Sequence, residues 1–247
     1  MIDFAAFTSR GEREYNEDFI ASYVRSEGHV FAVADGLGGQ GLGDKASRVA
    51  VTAVDVYTER HKGLDTATLS ECMSFADFAI EKKKQQLGLS QQMMTTLAVL
   101  YLSEDRACWS HIGDTRIYHF ADSRLVKRSL DHSAAQLMID IGLTTETDPR
   151  RLEECSTLTM CLGMPRSEEP EEEERLLPIE ESSVGPGEDF LLCTDGFWFW
   201  LEDEEIEGIL SEGRDAEWSL DAMISIVKQR SKGNNADNSS AILVRIK

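Results

Sequence analysis

The chain has 247 residues, 41% of them hydrophobic, and 45 acidic against 25 basic side chains leave it with a net charge of −20. A chain of that length carries one large core, so it reads as a single domain over residues 1–247. The acidity argues against nucleic-acid binding through a general basic surface, no run is long enough to span a bilayer, and no signal peptide is visible at the start.

In chain order, the apolar residues 30–34 form a strand that ends in Asp35-Gly36. A helix follows over residues 44–60, with Ala46, Val49, Ala50, Ala53 and Tyr57 on one face. Thr68 and Glu71 have the spacing of a capping box, and Leu69, Met73, Ala76 and Ile80 continue as an apolar stripe. Strands over 97–102 and 107–112 are separated by Ser103-Glu104-Asp105-Arg106, and strands over 117–120 and 125–127 by Ala121-Asp122-Ser123-Arg124. Such short polar links predict antiparallel hairpins. The strand at 107–112 runs into Gly113-Asp114, and the strand at 190–194 into Asp195-Gly196. Further helices are expected over 134–141, 204–210 and 218–230, and a last strand over 241–246 follows Asp237-Asn238. The acidic run at 168–174 reads as a solvated loop. Hairpins with helices laid over them make an α+β layered domain. The five cysteines contain no CxxC pair, Cys155 and Cys161 lack metal-ligand spacing, and Cys193 lies inside an apolar strand. That usage fits a reduced, cytoplasmic compartment.

Asp35 and Asp195 sit at strand exits and Asp237 at a strand entrance. In an antiparallel sheet an entrance lies beside its neighbour's exit, so the three carboxylates can meet at one edge. Buried carboxylates repel one another unless a cation sits among them. Hard oxygen ligands suit Mg²⁺ or Mn²⁺. The N-terminal segment adds Arg13, Glu17 and Asp18. The planar, always-charged fork of Arg13 suits a phosphate, and the Glu17-Asp18 pair could anchor metal-bound waters. Residues 36–41 also spell GxGxxG after a strand and before a helix, with Asp55 downstream. That keeps a dinucleotide-binding domain as an alternative. Against it, Asp35 would face the pyrophosphate, and the hairpins contradict a parallel βαβ sheet.

Gly11-x-Arg13-x-x-Asn16-Glu17-Asp18, Asp35-Gly36-x-Gly38-Gly39, Gly113-Asp114-Thr115-Arg116, Asp131-His132-Ser133, Asp195-Gly196 and Asp237-Asn238-x-Ser240 occur in this order along the chain. Each is weak alone. As an ordered set they resemble the metal-dependent Ser/Thr protein phosphatases of type 2C, from near residue 9 to the C-terminus, in their compact bacterial form. The resemblance implies a four-layer αββα sandwich, two antiparallel β-sheets flanked by helices. It implies two core Mn²⁺ or Mg²⁺ ions bridged by Asp35, with the Gly36 carbonyl on one and Asp195 and Asp237 completing the other. Glu17 and Asp18 would hold coordinated water, Arg13 the substrate phosphate, and Asp114 with Asp195 a third ion. The implied reaction is hydrolysis of phosphoserine and phosphothreonine by in-line attack of a metal-bridging water or hydroxide. The implied partners are phosphorylated proteins, substrates of a Ser/Thr kinase. A cytoplasmic monomer with no nucleic-acid or membrane partner is expected.

The sequence departs from that pattern at Gln40, where members of the family commonly carry a His proposed as general acid. Gln can donate a hydrogen bond but cannot deliver a proton at neutral pH. His111 is a poor substitute, because strand alternation aims it away from Asp114, and His132 reads as structural. Met94 before Thr-Thr and Thr115 in place of Ser are lesser departures, expected to alter packing only. Gln40 also supports a second alternative, a non-catalytic pseudophosphatase that binds phosphoproteins. General-acid help is worth roughly 10²–10⁴ in rate, so alkyl phosphates with poor leaving groups should suffer more than aryl ones. Gln40→His is expected to raise turnover of phosphoserine peptides well beyond that of p-nitrophenyl phosphate. Equal gains on both substrates, or none on phosphoserine, would refute this reading.

Overall fold

Strands that are apolar without interruption must be covered on both faces, and this requirement sets the layering. The computed structural model describes residues 1–37, 42–89, 92–143, 145, 157–165 and 177–247. One five-stranded sheet has the order β1 (Ile2–Ser9), β12 (Ser239–Ile246), β11 (Glu188–Cys193), β8 (Arg116–Ala121) and β9 (Arg124–Arg128). A second five-stranded sheet has the order β10 (Ile179–Ser183), β7 (Arg106–Ile112), β6 (Leu97–Leu102), β3 (Gly28–Ala34) and β2 (Phe19–Arg25). A short pair joins β4 (Gly36–Leu37) to β5 (Met94–Thr95). The expected hairpins are present as β6/β7 and β8/β9.

Side-chain alternation divides each central strand between two cores. Phe31, Val33, Ala98, Leu100 and Trp109 of the second sheet meet Ile117, Phe190, Leu192, Ile242 and Val244 of the first. The opposite face of the second sheet, including Val30, Ala32 and Val99, lies under α1 (Gly43–Glu59) and α2 (Thr66–Leu87). Tyr118, Leu191, Cys193 and Leu243 of the first sheet lie under α5 (Asp203–Ser211) and α6 (Ala216–Ser231). The αββα sandwich implied by the resemblance is the architecture found. The GxGxxG segment has no parallel βαβ unit around it, because β3 pairs antiparallel with both β2 and β6.

Several local expectations change. The capping box of α2 is built on Asp65, whose side chain accepts from the Thr68 backbone N–H while Thr68 reaches back. Glu71 instead accepts from the Tyr57 hydroxyl at 2.7 Å. Asp195 opens a single helical turn, α4 (Asp195–Trp198), which hydrophobic periodicity is too short to reveal. The helix α3 (Ala134–Asp140) has no buried residue. Cys72, Cys108, Cys161 and Cys193 are free and buried, as core residues. Gln40, Cys155 and the acidic run at 168–174 lie outside the described residues. Among the described residues, no helix is long and apolar enough to cross a membrane.

The sheets also correct where the carboxylates meet. Asp195 follows β11 and Asp237 precedes its antiparallel neighbour β12, so this exit and entrance lie side by side as expected. Asp35 instead leaves β3 of the second sheet, so it joins them across the two sheets and not along one sheet's edge.

At the other end of β11 and β12, Asp189 and Arg245 are register partners. Arg245 donates to both oxygens of Asp189, at 2.8 and 3.1 Å, and to the Arg214 and Leu210 carbonyls. Both side chains are buried, and burial raises the Asp189 pKa despite the opposing Arg245 charge. Removing one member of a buried pair strands the other, at a cost of about 3–5 kcal/mol. Asp189→Ala is expected to lose about that much stability in urea denaturation. A loss under about 1 kcal/mol would show that the pair does not fix these strands.

Candidate metal centre

Asp35 is held by its backbone. Its N–H donates to Thr96 Oγ1 at 2.9 Å, and its carbonyl accepts from the Thr96 N–H and the Thr95 hydroxyl. The Thr96 hydroxyl is joined in turn to Thr115. Thr115 therefore does more than pack: it belongs to the hydrogen-bonded string that seats Asp35. Gly36 follows where a side chain would collide with the carbonyls of Gly43 and Glu17. Asp195 begins α4, Asp114 lies between β7 and β8, Asp237 precedes β12, and Glu17 and Asp18 precede β2.

The electrostatics show that these groups share one space. Burial, then repulsion from Asp18, Asp195, Asp114 and Asp237, hold the Asp35 carboxyl well above the carboxylate range. Asp114 is likewise well above it, through burial and then Asp195 and Asp131. Burial is the main cause that lifts Asp18 to about 7, with Asp195 and Asp237 adding to it against hydrogen bonds from Ser240 and Thr194. Asp195 rises to about 6, from burial and then Asp237. Glu17 is raised chiefly by burial, opposed by the Gly43 N–H. Asp18 Oδ1, Asp44 Oδ1 and Asp195 Oδ1 are buried without a hydrogen-bond partner. Repelling carboxylates with orphaned oxygens require protons or cations, and an all-oxygen donor set fits Mg²⁺ or Mn²⁺. Among the described residues, no three acidic, imidazole or thiol side chains close into a ligand cluster by themselves. A cation here would therefore also draw on carbonyl and water oxygens, as Mg²⁺ commonly does.

Arg13 lies at the rim, with its guanidinium 2.7 Å from Asp237 Oδ2 and both side chains nearly half exposed. Its segment is tied down by Asn238, whose side chain accepts from the Glu17 N–H at 2.8 Å and donates to the Arg10 and Tyr15 carbonyls. Asn238 adjoins Asp237 in the Asp237-Asn238-x-Ser240 stretch, but its anchoring role depends on partners far away in the chain. Asp44, in the first turn of α1 and close enough to raise the Glu17 pKa, carries no such motif in the sequence. His132 is structural as expected: Nδ1 accepts from the Gly113 N–H at 3.1 Å and the ring stacks on His111 at 4.7 Å. His111 is buried, with Nε2 2.8 Å from the Leu130 carbonyl.

The family model described as Protein phosphatase 2C matches residues 9–237. The chain belongs to the protein phosphatase 2C family. It is 28% identical over 240 residues to a putative protein phosphatase 2C-type of Streptococcus pyogenes, covering 94% of this chain and 92% of that one. It is 26% identical over 220 residues to the protein phosphatase PhpP of Streptococcus pneumoniae, covering 85% of each. Among solved structures, Stp1 from Staphylococcus aureus superposes with a TM-score of 0.86 at 20% identity, over 100% of this chain and 96% of that one. The PstP catalytic domain in complex with two manganese ions superposes with a TM-score of 0.81 at 24% identity, over 100% and 99%. At such identities the superpositions speak for the fold.

The raised carboxyls fix a sign for pH dependence. An acid whose folded pKa lies above its unfolded value, near 4, stabilises the fold below that value, and the contribution is lost as pH rises through the folded pKa. With Asp195 near 6 and Asp18 near 7, the loss extends to about pH 7. In EDTA the protein is expected to melt at least about 5 °C higher at pH 5.5 than at pH 7.5. Millimolar Mn²⁺ should restore the deficit at pH 7.5. A flat melting profile, or indifference to Mn²⁺, would contradict the shared acidic site.

Proposed function

We propose that residues 1–247 form one catalytic domain. In it Asp35, the Gly36 carbonyl, Asp195 and Asp237 hold two Mn²⁺ or Mg²⁺ ions. Glu17 and Asp18 hold their water shell, and Asp114 with Asp195 holds a third ion. As a protein phosphatase 2C, the protein is a metal-dependent serine/threonine phosphatase acting on phosphorylated proteins. The observation that carries the site assignment is the convergence of Asp18, Asp35, Asp114 and Asp195 on one space with Asp237 at its rim: Asp195 raises the pKa of Asp18, Asp35 and Asp114, and Asp237 raises those of Asp18, Asp35 and Asp195. When bound, the cations supply a water acidified toward neutral pH and positive charge facing the phosphoryl oxygens.

The chain's own residues do the rest. Arg13 stands at the entrance with a fork that can grip two phosphate oxygens. It donates to Asp237 Oδ2 at 2.7 Å, so a phosphate held by the same guanidinium would share it with, or take it from, that carboxylate. Its fixed charge then offsets the negative charge spread over the phosphoryl oxygens. Asn238 and the Thr96–Thr115 pair keep Glu17 and Asp35 from shifting as the substrate enters. In this proposal a Ser/Thr kinase is the source of the phosphorylated substrates, and the protein acts as a cytoplasmic monomer.

The test is hydrolysis of p-nitrophenyl phosphate and phosphothreonine peptides with Mn²⁺ and with EDTA. Turnover with Mn²⁺ and its loss in EDTA are expected, and Asp35→Asn should abolish it. Arg13→Ala should lower kcat/KM on the peptide about 10- to 100-fold, the worth of a charge-assisted hydrogen bond. Phosphopeptide binding without turnover would make the protein a pseudophosphatase.

A further inference from the structure

The tryptophan-rich turn after Asp195 has no part in the reading above, yet it reaches the loop that carries Asp114. That loop crosses from β7 in one sheet to β8 in the other. It begins at Gly113, in the left-handed region at φ 94°. His132 grips Gly113 from one side: its backbone N–H donates to the Gly113 carbonyl at 2.9 Å, and its ring accepts the Gly113 N–H. From the other side Trp198 Nε1 donates to the Asp114 carbonyl at 2.9 Å.

The indole is itself fixed. Arg116 Cζ lies 3.4 Å from the Trp198 ring centroid. That guanidinium is locked by two bonds to Asp131, at 2.8 and 2.7 Å. A guanidinium over an indole face is the most favourable form of cation–π contact. Trp198 also closes the helical turn that Asp195 opens, its backbone N–H donating to the Thr194 carbonyl at 3.1 Å. One rigid side chain thus couples the backbone of Asp195 to the backbone of Asp114.

We propose that Trp198 is a positioning residue: its indole N–H sets the spacing between Asp114 and Asp195, and thereby the affinity of the cation that those two carboxylates hold. The inference rests on the assignment of that pair as a cation site. Without the N–H, Gly113 remains anchored by His132 but the Asp114 carbonyl is released. The remaining carboxylates, seated by Thr96, Asn238 and Thr194, keep their places. The effect is therefore confined to one cation.

The experiment is calorimetric titration of Mn²⁺ into the full chain stripped with EDTA, for wild type, Trp198→Phe and Asp114→Asn. Phe keeps a ring for Arg116 to stack on and removes only the donor. Trp198→Phe is expected to weaken one Mn²⁺ site about three- to tenfold, the range of one hydrogen bond, with the other sites unchanged. Asp114→Asn should lose that same site. If Trp198→Phe titrates like wild type while Asp114→Asn loses the site, the positioning role is overturned and the cation site stands. If all sites weaken together in Trp198→Phe, the residue serves the fold at large and the inference fails. If Asp114→Asn titrates like wild type, the site assignment fails and the inference with it.

Discussion

Negative charges crowded together are the constraint on which this structure turns. Asp18, Asp35, Asp114 and Asp195 meet at one end of the sandwich in a medium that solvates them poorly, with Asp237 beside them at the rim, paired with Arg13. Such an arrangement is uphill for folding, and a chain keeps it only if something else holds the groups in place. Cations held by these carboxylates would answer the repulsion, and the positive charge they supply would serve both the stability of the site and the binding of a phosphoryl group.

What holds the groups in place is the double sheet. Each central strand is apolar on both faces, one packed against the other sheet and one against helices. Such strands cannot slip by one residue without exchanging their faces. The strand ends are therefore fixed, and so are the aspartates one or two residues beyond them. Asp35 comes from one sheet and Asp195 and Asp237 from the other, so the site exists only when the sheets are stacked.

Hydrogen bonds to the backbone refine this placement. Asn238 ties the Arg13–Glu17 segment to β12, Thr96 seats Asp35, and His132 and Trp198 hold the Gly113–Asp114 loop from two sides. Several of these side chains are polar and buried or partly buried, with their partners in distant parts of the chain. They do for the loops what strand pairing does for the sheets. Arg13 is the exception: it stands half exposed, paired only at the rim, as a group that must exchange partners would.

Much of this could be read from the residues alone. Apolar runs ending in Asp-Gly marked the strand exits, because an interior strand must be apolar and its end must turn. The hairpins followed from short polar links, and helix α2 from the spacing of Leu69, Met73, Ala76 and Ile80, all buried. The order of the short motifs was enough to point to the family. Which strands become neighbours could not be read, because that depends on packing between residues far apart in sequence. The exit-beside-entrance rule therefore places Asp195 next to Asp237 on one sheet, but it cannot tell that Asp35 comes from the other. The cap on Asp65, the turn at Asp195 and the reach of Trp198 to Asp114 were hidden for the same reason. Local pattern determines what a segment becomes and which chemistry it carries. Only the stacked sheets decide what each side chain touches, because a contact belongs to two segments and neither encodes it alone.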